Sequence, residues 1–313
     1  MDDIIKWLPK ISEEDKISIG NFLNGQNNSI GKKLLQKYAD MLIPYSRYIR
    51  PNCSSSGIVF FYACLIYIMH FPNYGNYIED IMLYNILYLL VDNFIDDVKL
   101  DPKIKEIGIQ QMSQIIQKVT PDYYINEDLI IIKSCYDNLL FRNPDAQKYI
   151  IKLFQIELQS IIVQNDTSLS RDAYYNMACL KVIYTMEVLQ NIVKSNIKID
   201  NLGIIMQLID DSLDVTEDMK DGINTIATYE LHKEGNLDKL WLSIAKKIDE
   251  LESEFTIFKI IYTFCLVYLP DRNPQCYSKN LLNNVKIHNL FEYCDINKLL
   301  INAIMNYLTV IYL

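Results

Sequence analysis

Apolar positions along the chain recur at spacings of three and four residues, and some stretches are apolar on nearly every side. "GIVFFYACLIYIM" (57–69) and the C-terminal "LLINAIMNYLTVIYL" are the longest. A helix that is hydrophobic all round belongs in a core rather than on a surface. The periodicity predicts helices at 29–44, 56–71, 76–98, 103–118, 126–141, 145–164, 170–196, 199–219, 236–250, 253–268 and 294–312. The breaks fall at Pro51, "FPNYGN" (71–76), Pro102, Pro121, Pro144, "NDTSLS" (165–170), "DGIN" (221–224) and "PDRNP" (270–274). Ser170 and Asn236 stand where their side chains can cap the helices that follow them. No segment alternates with the strand period for more than a few residues. The expectation is an all-α chain, a single domain over residues 1–313, built as a bundle of about ten to twelve helices with buried central members.

Composition agrees. Half of the 313 residues are hydrophobic, and Gly and Pro number only nine each, which leaves few breaks for a many-turned β fold. The net charge of −9 and a pI near 4.9 exclude nucleic acid as an expected partner. The seven cysteines show no C-x-x-C pair. The start "MDDIIKWLPK" lacks the layout of a secretory signal. Reduced thiols and a cytoplasmic location are therefore expected. No apolar run reaches the ~20 residues of a membrane span, so the C-terminal helix allows at most peripheral membrane contact.

Two acidic clusters interrupt this apolar pattern. "NILYLLVDNFIDD" (85–97) ends in Asp92, Asp96 and Asp97. Asp92 and Asp96 are four apart and share a helix face. "MQLIDDSLDVTEDMKDG" (206–222) spaces Asp210, Asp214 and Asp218 at i, i+4, i+8, with Asp211, Glu217 and Asp221 beside them. Like charges at i, i+4 repel by a few tenths of a kcal/mol per pair. A solvated acidic face is the ordinary reading of such a run. Both clusters, however, close apolar stretches where water is limited, which points to a compensating cation. All-oxygen ligands select a hard ion such as Mg²⁺, which is commonly shared with substrate phosphates. The three histidines, His70, His232 and His288, lie outside both clusters, which argues against zinc.

These residues resemble the aspartate-rich motifs of the class I isoprenoid synthases, the trans-prenyltransferases and their terpene-cyclase relatives. "LLVDNFIDD" resembles the first motif, D-D-x-x-D, and "QLIDDSLD" the second, F-Q-x-x-D-D-x-x-D. "YYNMACLKVIYTMEVL" (174–189) resembles the segment with a Lys-Thr pair, here Lys181 and Val182. "SRYIRP" (46–51) resembles the basic G-K-R-x-R-P segment through Arg47 and Arg50. The resemblance spans residues 46 to about 230 and implies the isoprenoid synthase fold, a helical bundle around a central apolar cavity. It also implies a prenyl diphosphate substrate, about three Mg²⁺ ions replaceable by Mn²⁺, and a homodimer. Asp92 and Asp96 would bind two of the ions and Asp210, Asp214 and Asp218 the third, with Asp97 and Asp211 as further ligands. Lys181 would grip the diphosphate and act with Asp92 and Asp96 in its ionisation. Arg47, Arg50, Asn85, Tyr88, Gln207 and Lys220 would contact the substrate. Taken by itself, Lys181 reads equally well as a helix-surface lysine. Among the 23 Tyr and 11 Phe that could face a carbocation, Tyr84 and Tyr88 are best placed, one turn apart before Asp92. Bulk at Tyr88 implies a short substrate, farnesyl diphosphate.

The departures from the pattern select among the family's activities. No arginine follows the first motif ("VKLDPKIKE"), Asn93 replaces its second aspartate, and the lysines expected after the second motif are missing. A site for two diphosphates needs those cations, and a site for one tolerates their loss better. The sequence therefore leans to a terpene synthase that ionises one prenyl diphosphate. Retention of Arg47 and Arg50 favours the alternative, a chain-elongating isoprenyl diphosphate synthase. A non-catalytic regulatory subunit is the third reading, and the retention of both acidic clusters argues against it.

Overall fold

The computed structural model describes residues 76–95, 100–195, 197, 199–252 and 255–287, together with Lys37, Asp40 and Met41. Among these residues the regular structure is helical throughout, with 11 α-helices, short 3-10 turns and no strand. The all-α expectation holds for them. The chain divides into two compact units. The described residues up to Phe154, with Glu187–Ile197, form one, and Gln155–Met186 with those from Ile199 onward form the other.

In the N-proximal unit α1 spans Ile78–Ile95, α2 spans Pro102–Ile116 and α3 spans Glu127–Arg142. The starts of α2 and α3 follow from local chemistry. Asp101 accepts from the N–H groups of Lys103 (2.9 Å) and Ile104 (3.3 Å), with Pro102 at the first position, where no N–H is needed. Asn126 accepts from Leu129 N–H at 3.3 Å. Ile81, Met82 and Ile86 of α1 are fully buried, as its unbroken apolar pattern requires. Arg142, at the end of α3, pairs with Glu79 (2.9 Å) and Asp80 at the start of α1. The Cys135 thiol donates to the Leu83 carbonyl at 3.5 Å. The two helices are therefore antiparallel. Tyr136 donates to the Ile116 carbonyl, one of the last acceptors of α2, at 2.6 Å. α2 comes close to α1 at Gly108, where a Cβ would fall 2.2 Å from the Phe94 ring.

The other unit continues from α4 (Gln147–Gln164) and α5 (Arg171–Val193), within each of which the division falls. It then holds α6 (Asp200–Leu213), α7 (Val215–Asp221), α8 (Ile226–Glu234), α9 (Asp238–Asp249), α10 (Thr256–Arg272) and α11 (Lys279–Ile287). α10 packs against α6 and α9. Their shared core includes Leu208, Trp241, Ile244 and Leu266, each 1% exposed or less. Pro270 lies inside α10 and cannot donate to the carbonyl four residues back, Leu266. The Trp241 indole N–H supplies the missing donor at 2.7 Å.

Three expectations change. The predicted helix 199–219 is two helices broken at Asp214. Helices at 226–234 and 279–287 were not anticipated. The helix expected over 253–268 runs on to Arg272, because the Trp241 bond compensates Pro270. Ser170 does cap α5, accepting from Ala173 N–H at 3.4 Å. Asn236 accepts from Asp238 N–H at 3.1 Å, one position ahead of the cap residue Leu237. Expected helices at 56–71 and 294–312 lie outside the described residues, as does 29–44 apart from Lys37, Asp40 and Met41, which are helical. No helix among the described residues is long and apolar enough to cross a membrane. The four described cysteines, Cys135, Cys179, Cys265 and Cys276, are not joined in disulfides.

Trp241→Phe should lower stability by about 2 kcal/mol, because it strands the buried Leu266 carbonyl. Urea denaturation measures this, and a loss below about 0.5 kcal/mol would mean the carbonyl finds another partner.

Candidate functional site

The second acidic cluster is built by α6 and α7. α6 is seated close to α5 at Gly203, where a Cβ would fall 2.0 Å from Val182 Cγ1 and 3.1 Å from Met186. That approach brings α5, which carries Lys181 beside Val182, against the helix that carries Gln207, Asp210 and Asp211. Val182 stands where the resembling family has Thr, and here it is core, 4% exposed.

Asp211 is buried, and the Gln207 side-chain amide donates to its Oδ1 at 2.8 Å. Asp210 and Asp214 reach solvent, and Asp218 is half-buried. Asp218 Oδ2 accepts from Thr225 Oγ1 at 3.5 Å. Thr225 in turn caps α8 in a reciprocal pair with Thr228. α7 ends at Gly222 in the left-handed conformation (φ 72°), with Ile223 N–H bonded to the Asp218 carbonyl at 2.8 Å. Lys181, half-buried, forms an ion pair with Glu157 of α4 at 3.0 Å.

Electrostatics mark the cluster as short of positive charge. Asp210 is exposed, yet protein crowds its carboxyl closely enough that lost hydration is the main push. Asp214 and Asp211 add repulsion, Lys181 opposes it, and the carboxyl rises to about 7. Burial raises Asp211 to about 6 against the Gln207 hydrogen bond and Lys181. Burial, then the charges of Asp211, Asp214 and Asp210, raise Asp218 to about 8. Asp214 is raised by burial and Glu217 and held down by Arg272. Repulsion of this kind falls when a cation enters or when protons bind.

The donor set, carboxylate oxygens throughout, fits Mg²⁺. Among the described residues no three His, Cys, Asp or Glu side chains already converge as a metal-binding group.

The structure brings Lys181, Gln207, Asp210, Asp211, Asp214 and Asp218 into one unit. Lys220 is exposed in the last turn of α7. Asn85 (fully buried), Tyr84 (2% exposed), Tyr88 (half-buried) and Asp92 (half-buried) belong to α1 in the other unit. Asp96, Asp97, Arg47 and Arg50 lie outside the described residues. Sequence reasoning missed Glu157, Thr225, Arg272 and Asn273. Thr225 was legible, since Thr225 and Gly235 bracket a helical run. The others act across helices and leave no local signal. Comparison with protein-family models, with curated proteins and with solved structures gave no match.

Two predictions follow from this geometry. The raised carboxyls hold protons in the folded state that the unfolded chain has released, so the stability they contribute is full below the ordinary carboxylate range and lost as pH rises through about 6 to 8. In chelator, the thermal midpoint should fall between pH 5.5 and 8.5, Mg²⁺ should remove that slope, and Asp218→Asn should flatten it. A midpoint that rises over this interval in chelator contradicts the assignment. Separately, Gly203→Ala should cost about 1–3 kcal/mol by overpacking despite its better helix propensity. Adding Val182→Ala should recover part of the loss; no recovery would place the clash elsewhere.

Proposed function

We propose that the protein is a Mg²⁺-dependent terpene synthase that ionises one prenyl diphosphate, farnesyl diphosphate by the sequence's leaning, and converts the carbocation to a hydrocarbon or alcohol. The observation that carries this reading is the Asp210–Asp218 cluster with Lys181 in electrostatic reach. Its crowded carboxylates repel one another, its donors are hard oxygens, and a half-buried cation stands beside it. Mg²⁺, when bound, would neutralise the diphosphate and make it a better leaving group.

The chain's own residues do the rest. Asp210, Asp214 and Asp218 would hold the ion, and Gln207 keeps the Asp211 carboxylate oriented beside them. Lys181 would donate to a diphosphate oxygen, with Glu157 fixing where its ammonium stands. The isoprenoid synthase bundle, with an apolar cavity that excludes water from the cation, is part of the proposal. The departing pyrophosphate can take the final proton, so no dedicated base is required.

Incubation with Mg²⁺ tests this. Farnesyl or geranylgeranyl diphosphate alone should yield a volatile terpene. A longer diphosphate appearing only with added isopentenyl diphosphate would establish chain elongation instead. No turnover in either arm would favour a non-catalytic subunit. Asp210→Ala and Asp92→Ala should each lower turnover about a hundredfold or more, and full activity in either would remove that residue from the site.

A further inference from the structure

Nothing between Leu208 and Asp218 breaks a helix by itself, since the stretch holds neither glycine nor proline. Even so, the helix breaks at Asp214. The groups freed at the break are bonded by a residue at the far end of α10. Asn273 is the C-terminal cap of α10 and is buried, 6% exposed. Its Nδ2 donates to the Leu213 carbonyl at 2.9 Å and to the Ser212 carbonyl at 3.2 Å. Its Oδ1 accepts from Thr216 Oγ1 at 3.3 Å.

In an unbroken helix those two carbonyls would accept from the N–H groups of Thr216 and Glu217. Glu217 N–H instead bonds to the Asp214 carbonyl at 2.8 Å. Ser212 Oγ donates back to the Leu208 carbonyl at 2.7 Å, a contact that bends helices. The bend divides the carboxylate ladder. Asp210 and Asp211 ride on α6, Asp218 rides on α7, and Asp214 is the joint.

Resting on the reading of this cluster as a Mg²⁺ site, we propose that Asn273 is a positioning residue for it: by capping the last carbonyls of α6 it sets the angle between the two carboxylate-bearing segments. Mg²⁺ demands near-octahedral oxygens at about 2.0–2.1 Å, so the angle at Asp214 governs how readily Asp218 joins Asp210 on one ion. Asn273 donates to backbone carbonyls and accepts from Thr216, and it acts through Asp214 and Asp218 rather than by touching the cation. Its role is that of a residue behind the ligands, whose loss typically weakens metal binding about 10–100-fold.

The test is Mg²⁺ binding by calorimetry on the full chain, with thermal unfolding alongside. Asn273→Ala and the near-isosteric Asn273→Asp, which keeps the shape and loses both donated bonds, should bind Mg²⁺ about tenfold or more weakly than wild type. Trp241→Phe cuts a hydrogen bond to the same helix away from the bend. It should lower the thermal midpoint and leave Mg²⁺ affinity unchanged. If Asn273→Ala does not fold, Asn273→Asp carries the measurement. Wild-type affinity in the folded Asn273 variants overturns the positioning role. An equal loss of affinity in Trp241→Phe also overturns it, because the effect would then be general stability. Absence of Mg²⁺ binding by wild type fails the metal reading itself and takes the positioning role with it.

Discussion

The burial of the Asp210, Asp211, Asp214 and Asp218 carboxyls close beside one another and Glu217 is the constraint around which this part of the molecule is arranged. Each carboxyl is pushed above its ordinary value, by burial first and by its neighbours next. A fold selected for stability alone would disperse such groups or neutralise them. Here the structure holds them together with positions fixed from behind: Gln207 on Asp211, Thr225 on Asp218, and Asn273 on the backbone between them. Perturbed carboxyls held together in this way mark a candidate functional site.

The bracing depends on α10, which carries two departures from helical regularity. Pro270 leaves the Leu266 carbonyl without its helical donor, and Trp241 replaces it. Asn273 then ends the helix and directs its amide at the end of α6. One helix thus ties the core residue Trp241 to the joint at Asp214. Unsatisfied buried carbonyls cost about 1–3 kcal/mol each, so both substitutions of partner stabilise the fold while they shape the site.

How much of this was legible depended on range. Most helices announced themselves through apolar periodicity, and α5 also through Ser170 at its start. The two acidic runs were legible as clusters, because their spacing is local. The break at Asp214 was not, because "DDSLDVTED" reads as a continuous helix and the carbonyls freed there are bonded by Asn273, distant in sequence. Val182 illustrates the same limit. Its place in the core, at the close approach to Gly203, required the packing. Pro270 misled in the other direction: the rule that proline ends a helix gave way to a tryptophan able to supply the missing donor.

The balance of charge bears on which chemistry the cluster suits. Among the described residues, Lys181 and Arg272 are the cations that hold any of these carboxyls down. Lys181 is already paired with Glu157, and Arg272 acts on Asp214. A second diphosphate would bring several more negative charges to a neighbourhood where acids outnumber bases, and each would need a donor or a metal to replace its water. In the proposed reading, one diphosphate would share the ions that the aspartates hold. The same shortage of arginine and lysine that sets the sequence apart from the chain-elongating pattern is thus matched by the electrostatics of the folded cluster. In the proposed reading, both suit a single prenyl diphosphate.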